Sequence, residues 1–311
     1  MPFTIKMTVL AVLAIAAVIV AVEVFLLVDH LRCKRVEDGP KSKLFSMPAI
    51  AVHVIALTAV LCFCYGLFVE PYWLEVNEIR IDTDKLGNVK LRIVQISDLH
   101  CDTKMRTEEK LVRFVNAAKA DIVVFTGDAL NGPESIALFR KTMKGLHASI
   151  AKLAVRGNWY RGIESSELFE GTGFEILERD TVKFEKGGKE FYISGLNFWD
   201  RNYSGELLSR NSPHSFNVFL YHSPDLIEDI TNFNVDLYLA GHTHGGQIAL
   251  PFYGPVLTFS KFGKKYSSGF HRVGKTDLYV NRGVGMEGGS APRARFLARP
   301  EITIFDIGGE D

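Results

Sequence analysis

Cysteine is scarce in this chain of 311 residues, and none of its four cysteines, Cys33, Cys62, Cys64 and Cys101, forms a C-x-x-C pair. Cys62 and Cys64 fall inside a long apolar run, so neither a disulfide framework nor a zinc knuckle can be drawn, and cysteine usage leaves the compartment open. Charge of one sign is missing too. Thirty-six Lys and Arg are balanced by 36 Asp and Glu, which removes the basic field that nucleic acid would select. There is no internal repeat and no low-complexity segment. The first apolar run is followed by no small-x-small cleavage site, and it exceeds the roughly 7–15 residues of a signal-peptide core.

What the sequence does hold is a concentration of apolar residues at its start. Residues 7–28 and 47–69 are each long enough to cross a hydrocarbon layer that needs about 20 helical residues. Only Glu23 is charged in the first run, and only His53 is ionisable in the second. Two membrane helices are therefore expected, with a buried hairpin or a single span as alternatives. Glu23 is expected near a helix end, reaching the interface, rather than serving as a functional intramembrane carboxylate. The loop between the runs carries Arg32, Lys34, Arg35, Lys41 and Lys43, whereas Lys6 is the only basic residue before the first run. The positive-inside tendency puts that loop in the cytoplasm and everything after Val69 outside. Asp29, Glu37 and Asp38 in the same loop, and Arg80 and Lys85 beyond the second run, weaken the bias.

From about residue 72 the pattern becomes short β-branched runs alternating with helical ones, which predicts a layered α/β domain over 72–311 behind a membrane anchor over 1–71. Strands are expected at 91–97, 121–128, 150–158, 216–223, 235–242, 276–283 and 300–307, helices at 106–120 and 135–149, and a hairpin over 182–196 turning at Gly187-Gly188. The early strands end alike, in an apolar run followed by a side chain able to bind metal. These are Asp98 and His100, Asp128, Asn158, His222, and His242 with His244. One such residue is ordinarily a turn or helix cap. Seven at strand ends are another matter, because side chains at the carboxyl ends of neighbouring strands converge in one crevice. Glycine precedes Asp128, Asn158 and His242, where backbone would have to approach closely.

The ordered blocks SDLH, TGD, RGN, YHSPD and AGHTHGG resemble the calcineurin-like metallophosphoesterases over roughly residues 90–305. The longer run AGHTHGGQIALPFYGP, with LYVNRGVG and PEITIFDI after it, is similar to the membrane-linked YkuE/YaeI-type branch and to the chlamydial-type UDP-2,3-diacylglucosamine pyrophosphatases. The resemblance implies an αββα sandwich of two mixed sheets, preceded here by two transmembrane helices. It also implies that Asp98, His100 and His244 bind one metal ion and Asn158, His222 and His242 a second, with Asp128 bridging; Asp128, Asn158 and His222 would carry the catalysis. Carboxylate and amide oxygens mixed with imidazoles suit two divalent ions, Mn²⁺ first, with Fe or Zn²⁺ as alternatives. Two such ions about 3.5–4 Å apart can activate water and hold phosphoryl oxygens for in-line attack.

One position departs from the family. Most members follow the G-N pair with histidine, which helps to protonate the leaving oxygen, whereas this chain has Trp159 and Tyr160. An indole cannot deliver a proton, and a general acid is worth about 10²–10⁴ in rate. The loss favours leaving groups stable as anions, a phosphoanhydride or activated ester over an alkyl monoester, unless Tyr160, His214 or a metal-bound water supplies the proton and Trp159 only packs. Trp159, Tyr160, Arg293 and Arg295 are the expected substrate-binding residues. Residues 259–275 interleave Lys261, Lys264, Lys265, Arg272 and Lys275 with Phe259, Phe262, Tyr266 and Phe270, either as a solvated face or as a lip facing lipid phosphates. The expected function is hydrolysis of a phosphoanhydride or phosphodiester of a membrane lipid, with a UDP-2,3-diacylglucosamine-type substrate of lipid A synthesis as the specific candidate. That substrate requires a cytoplasmic domain, against the charge bias. An outward-facing phosphodiesterase on phospholipid or envelope polymer and a silent metal-holding membrane scaffold are the alternatives.

Overall fold

The computed structural model describes residues 3–34, 42–159, 162–287 and 293–309, with side chains from residue 14 onward. The chain divides into two compact units, Met1–Val69 and Glu70–Asp311. The first contains α1 (Phe3–Cys33) and α2 (Met47–Phe68), both long and apolar enough to cross a membrane. Arg35 and Lys41 of the basic loop lie outside the described residues. Glu23 stands ten residues before the end of α1 instead of at its end. His53 explains why it is tolerated there, because its Nδ1 faces the two Glu23 carboxylate oxygens at 2.8 and 2.9 Å and its Nε2 faces the Leu44 carbonyl at 3.0 Å. Glu23 and His53, the ionisable residues of the two apolar runs, satisfy each other, as apolar surroundings demand.

The second unit holds fourteen strands among the described residues. They are β1 (Glu75–Asp82), β2 (Leu91–Ile96), β3 (Ile122–Phe125), β4 (Ala151–Ala154), β5 (Glu175–Ile176), β6 (Arg179–Lys186), β7 (Lys189–Leu196), β8 (Phe216–Tyr221), β9 (Leu237–Ala240), β10 (Ala249–Leu250), β11 (Gly254–Pro255), β12 (Gly269–Val273), β13 (Thr276–Val280) and β14 (Glu301–Gly308). One sheet runs β1-β14-β2-β3-β4-β5 and the other β12-β13-β9-β8-β7-β6. Both are mixed. β14 pairs antiparallel with β2 in the first, and β12–β13 and β6–β7 are the antiparallel pairs of the second.

Alternation along each strand sorts the apolar residues into layers. Ile93, Val124, Leu153, Ile193, Val218 and Leu239 meet between the sheets. Val94, Ile96, Val123 and Phe125 face the other way, against Leu111 and Val115 of α3 (Glu108–Ala117) and Phe139 and Met143 of α4 (Ile136–Lys144). Beyond the second sheet, Phe219, Tyr238 and Leu278 are covered by Leu207, Leu208, Ile227 and Ile230. The fold is the αββα sandwich, with an outer layer on this side reduced to the helix Ser204–Leu208 and 3₁₀ turns. Two polar bridges tie the sheets together. Buried Gln95 donates to Thr126 Oγ1 at 3.0 Å and to the Ala240 carbonyl at 2.9 Å, and Asn281 donates to Thr303 Oγ1 at 3.0 Å. β2, β3 and β4 are parallel neighbours, as are β8, β9 and β13, so the carboxyl ends of each trio open at a common edge.

Candidate metal centre

The loops leaving those strand ends carry the expected donors. Asp98, His100 and His244 place their ligand atoms within 4.8 Å of one another, and so do Asp128, His222 and His242, all six buried. Asp128 lies between the two groups: its Oδ2 is 3.1 Å from His222 Nε2 and 3.7 Å from His100 Nε2. Asp98 Oδ1 stands 3.4 Å from His244 Nε2 and 4.0 Å from His222 Nε2. His242 Nδ1 faces His222 Nε2 at 3.2 Å.

Such crowding demands unusual backbone. Asp98, His100, Asp128, His242 and His244 all have positive φ, between 38° and 72°, at an expense of order 1–3 kcal/mol each. The glycines beside them permit close approach. A Cβ on Gly157 would stand 2.0 Å from Asp128 Oδ1, and one on Gly241 would stand 2.2 Å from Asp98 Oδ2. Neighbouring groups then fix the donors. The Trp159 amide donates to Asp128 Oδ1 at 2.8 Å, and the His242 amide donates to both Asp98 oxygens at 3.1 and 3.0 Å. His222 Nδ1 donates to the Thr126 carbonyl at 2.7 Å, which turns Nε2 toward the carboxylates. His100 Nδ1 meets Asn131 Oδ1 at 3.1 Å, and Asn131 is held in turn by its amide bonds to the His100 carbonyl at 2.9 Å and to Asp102 at 3.0 Å.

Burial lowers the pKa of His100 and, with the neighbouring His222, that of His242, each to about 4. Burial sends His244 well below the ordinary value. These three rings are neutral at neutral pH, the form a metal needs. For His222 burial acts in the same direction, but Asp128 and Asp98 outweigh it and push the ring up to about 9. Burial raises Asp98 to about 6, whereas His222, His100 and the Trp159 amide overcome burial at Asp128 and hold it below the usual carboxylate range.

Whether these residues suit metal ions is tested by their unsatisfied atoms. His100 Nε2, His244 Nε2 and Asn158 Oδ1 are buried without a hydrogen-bond partner, three of only six such side-chain atoms among the described residues. Each would cost about 1–3 kcal/mol if nothing coordinated it. Asn158 sits between Gly157 and Trp159, both of which touch Asp128. Imidazole nitrogens with carboxylate and amide oxygens, and no thiolate, fit Mn²⁺, Fe or Zn²⁺.

The expected substrate residues are distributed differently. Trp159 is half-buried, its ring edge-on to His100 with centroids 5.9 Å apart. Tyr160 lies outside the described residues. Arg293 is partly buried and paired with Asp102, which also holds Arg106 at 3.2 Å. Arg295 is not a substrate residue. It is wholly buried, donates to the carbonyls of Ala298, Arg282, Gly283 and Gly285, and packs Nη2 3.3 Å from His244 Nδ1. Its guanidinium is spent on those four backbone carbonyls, which leaves none of it for a substrate. His214 is exposed before β8, at the opposite end from His222, too far to act as the acid. The basic lip is largely neutralised: Lys261 pairs with Asp229, Lys265 with Glu228 and Arg272 with Asp277, and Tyr266 is buried.

Two participants had escaped notice in the sequence. Asn131 belongs to no strand-end block. Glu287 comes seven residues after the apolar strand β13, and that place beyond a strand end was the available signal; the Gln247 side chain clamps its amide and carbonyl at 2.9 and 2.8 Å. Burial, with the charges of Asp128 and Asp98, pushes the Glu287 carboxyl up to about 7. A groove of about 310 Å³ lined by Phe198, Trp199, Tyr221 and Arg201 opens nearby, and Phe198 packs 5.8 and 5.7 Å from the His222 and His242 rings.

Two mixed sheets with paired donor groups at their strand ends define a metal-dependent phosphoesterase. The calcineurin-like phosphoesterase family matches residues 91–246, and the chain belongs to it. It is similar to the metallophosphoesterase YkuE of Bacillus subtilis, with 36% identity over 271 residues, 81% of this chain and 92% of that protein. It is also similar to the phosphodiesterase YaeI of Escherichia coli, with 26% identity over 257 residues, 79% and 92% of the two chains. Among solved structures, the protein TT1561 of Thermus thermophilus aligns with 12% identity and a TM-score of 0.44 over 64% of this chain and 92% of that one.

Proposed function

We propose that the protein is a membrane-anchored, two-metal hydrolase of a phosphodiester or phosphoanhydride in a membrane lipid. The observation that carries the metal assignment is the set of unpartnered buried atoms, His100 Nε2, His244 Nε2 and Asn158 Oδ1, beside the Asp98 and Asp128 carboxylates. Two divalent ions, Mn²⁺ in our reading, would supply Lewis-acid polarisation of phosphoryl oxygens and a water acidic enough to attack at neutral pH. The chain holds Asp98, His100 and His244 for one ion and Asn158, His222 and His242 for the other, with Asp128 shared. Trp159 holds Asp128 through its amide, and the aromatic groove beside His222 and His242 is shaped for the remainder of the substrate.

An indole, not an imidazole, follows Asn158, so the leaving oxygen lacks the family's usual proton donor. This supports a leaving group stable as an anion, and within that class a UDP-2,3-diacylglucosamine-type pyrophosphate, whose base could stack in the groove. The second reading, an outward-facing phosphodiesterase on phospholipid or envelope polymer, is supported by the basic loop between the helices. The test is purified protein with Mn²⁺ against aryl and alkyl phosphodiesters, lipid diphosphates and alkyl monoesters. Rates should rise steeply as the leaving group becomes less basic, and Trp159→His should raise turnover of poor leaving groups more than of good ones. A flat dependence, with chemistry rate-limiting, would contradict the leaving-group argument and assign proton delivery to another group, Glu287 foremost.

A further inference from the structure

Among the described residues, ten other than glycine have positive φ. Five are donors of the metal centre, Gln247 clamps Glu287, and Lys119 follows the end of α3. The remaining three are Phe252, Phe259 and Leu297, with φ of 63°, 53° and 52°. All are large and apolar. Phe252 is fully exposed, Phe259 57% and Leu297 53% exposed. A bulky side chain in the left-handed region is strained by about 1–2 kcal/mol, and an apolar one in water recovers nothing by burial. Strain of this kind persists where surrounding structure enforces it, commonly at a functional surface.

The three residues are close to the metal centre along the chain and through backbone contacts. Phe252 caps the β10–β11 hairpin, which starts two residues after Gln247. The Phe259 backbone lies beside the His242 ring. Leu297 follows Phe296, whose amide donates to the Gln247 carbonyl at 3.0 Å and whose carbonyl accepts from Ala249 at 2.8 Å. Leu297 also connects to the start of the catalytic unit: its amide donates to Glu70 at 2.9 Å. Three residues further on, half-exposed Trp73 lies under the Arg299 guanidinium, 3.9 Å from the ring centroid. Trp73 stands five residues past the end of α2, at most roughly 17 Å of chain.

We propose that Phe252, Phe259 and Leu297, with Tyr253 beside them, are a wedge that enters the headgroup–acyl boundary of an anionic bilayer and presents the metal centre to lipid phosphates. The proposal rests on the membrane-anchor reading above. The chain itself brings Trp73 to the membrane surface, and aromatic residues there prefer the interface. Apolar side chains then leave water instead of remaining strained in it. Lys264, whose Nζ lies over the Tyr253 ring, and Arg299 over Trp73 place cations at the depth of anionic headgroups.

The experiment uses the full chain in nanodiscs of phosphatidylcholine and phosphatidylglycerol, carrying Phe252→Trp or, as a control at the opposite end of β4, Ile150→Trp. The emission added by each substitution over wild type is measured against lipids brominated on the acyl chain and against acrylamide in water. The emission from Phe252→Trp should be mostly lost with brominated lipid and shielded from acrylamide, and that from Ile150→Trp should behave oppositely. Acrylamide quenching of both, with neither sensing the bromolipid, would overturn the wedge. Neither readout requires turnover. Alkaline carbonate extraction of the wild-type protein separates the two readings, since a chain released by carbonate refutes the anchor itself, whereas a retained chain with a lipid-blind probe refutes only the wedge.

Discussion

Of the four imidazoles at the centre, His222 alone is pushed upward in pKa, because it is flanked by both carboxylates. Its metal-free value, about 9, lies above the ordinary 6.5, so the stabilisation from the ion pair is complete below 6.5 and is lost as pH rises through about 9. A metal ion must displace that proton. Titrating Mn²⁺ into metal-free protein at neutral pH should release protons, seen as a calorimetric enthalpy that changes with the ionisation enthalpy of the buffer. The release should fade as pH passes about 9. An enthalpy independent of buffer at neutral pH would mean that His222 is not protonated between Asp98 and Asp128. His100 and His242, lowered to about 4, contribute no such release.

At the scale of elements, the site depends on strand ends that approach more closely than side chains normally allow. Gly157→Ala places a Cβ 2.0 Å from Asp128 Oδ1 and 2.6 Å from the Asp128 amide nitrogen, so the aspartate must move. Metal affinity should drop by about 10–100-fold, the typical effect of disturbing a group that orients a ligand, while circular dichroism stays native. Unchanged metal affinity in a metal titration would show that Asp128 is not held as described. The central strands were legible in the sequence because strands covered on both faces read as continuous apolar runs, as in the IVVF of β3 and FNVFLY of β8. β1 was not: its exposed face carries Glu78, Arg80 and Asp82, and its partner β14 begins beyond residue 300. The donors were legible because each ends an apolar strand. Asn131 and Arg295 were not, since a loop residue's role depends on where its loop turns, and Arg295 turned inward.

For the whole molecule, the sequence supplies two apolar helices and a catalytic unit but leaves their sidedness to a modest charge bias. An exposed cysteine introduced by Lys189→Cys at the β6–β7 turn reports it in intact cells as labelling above the wild-type level, which accounts for Cys33, Cys62 and Cys64, while native Cys101 is buried. The basic loop predicts reaction with a membrane-impermeant maleimide before lysis, which favours the phospholipid or envelope reading. Labelling only after lysis would place the unit in the cytoplasm, where a UDP-linked lipid is found. Neither outcome alters the chemistry of the centre. That chemistry rests on one carboxylate, Asp128, standing between two donor groups. The most direct measurement is therefore metal content and turnover, on the same preparations, of wild type and Asp128→Ala. Two divalent ions per wild-type chain are expected, with metal-dependent hydrolysis of an activated phosphodiester. Asp128→Ala should show reduced occupancy at both positions and no turnover. Retention of two ions with near-normal activity would contradict a dinuclear centre bridged by Asp128.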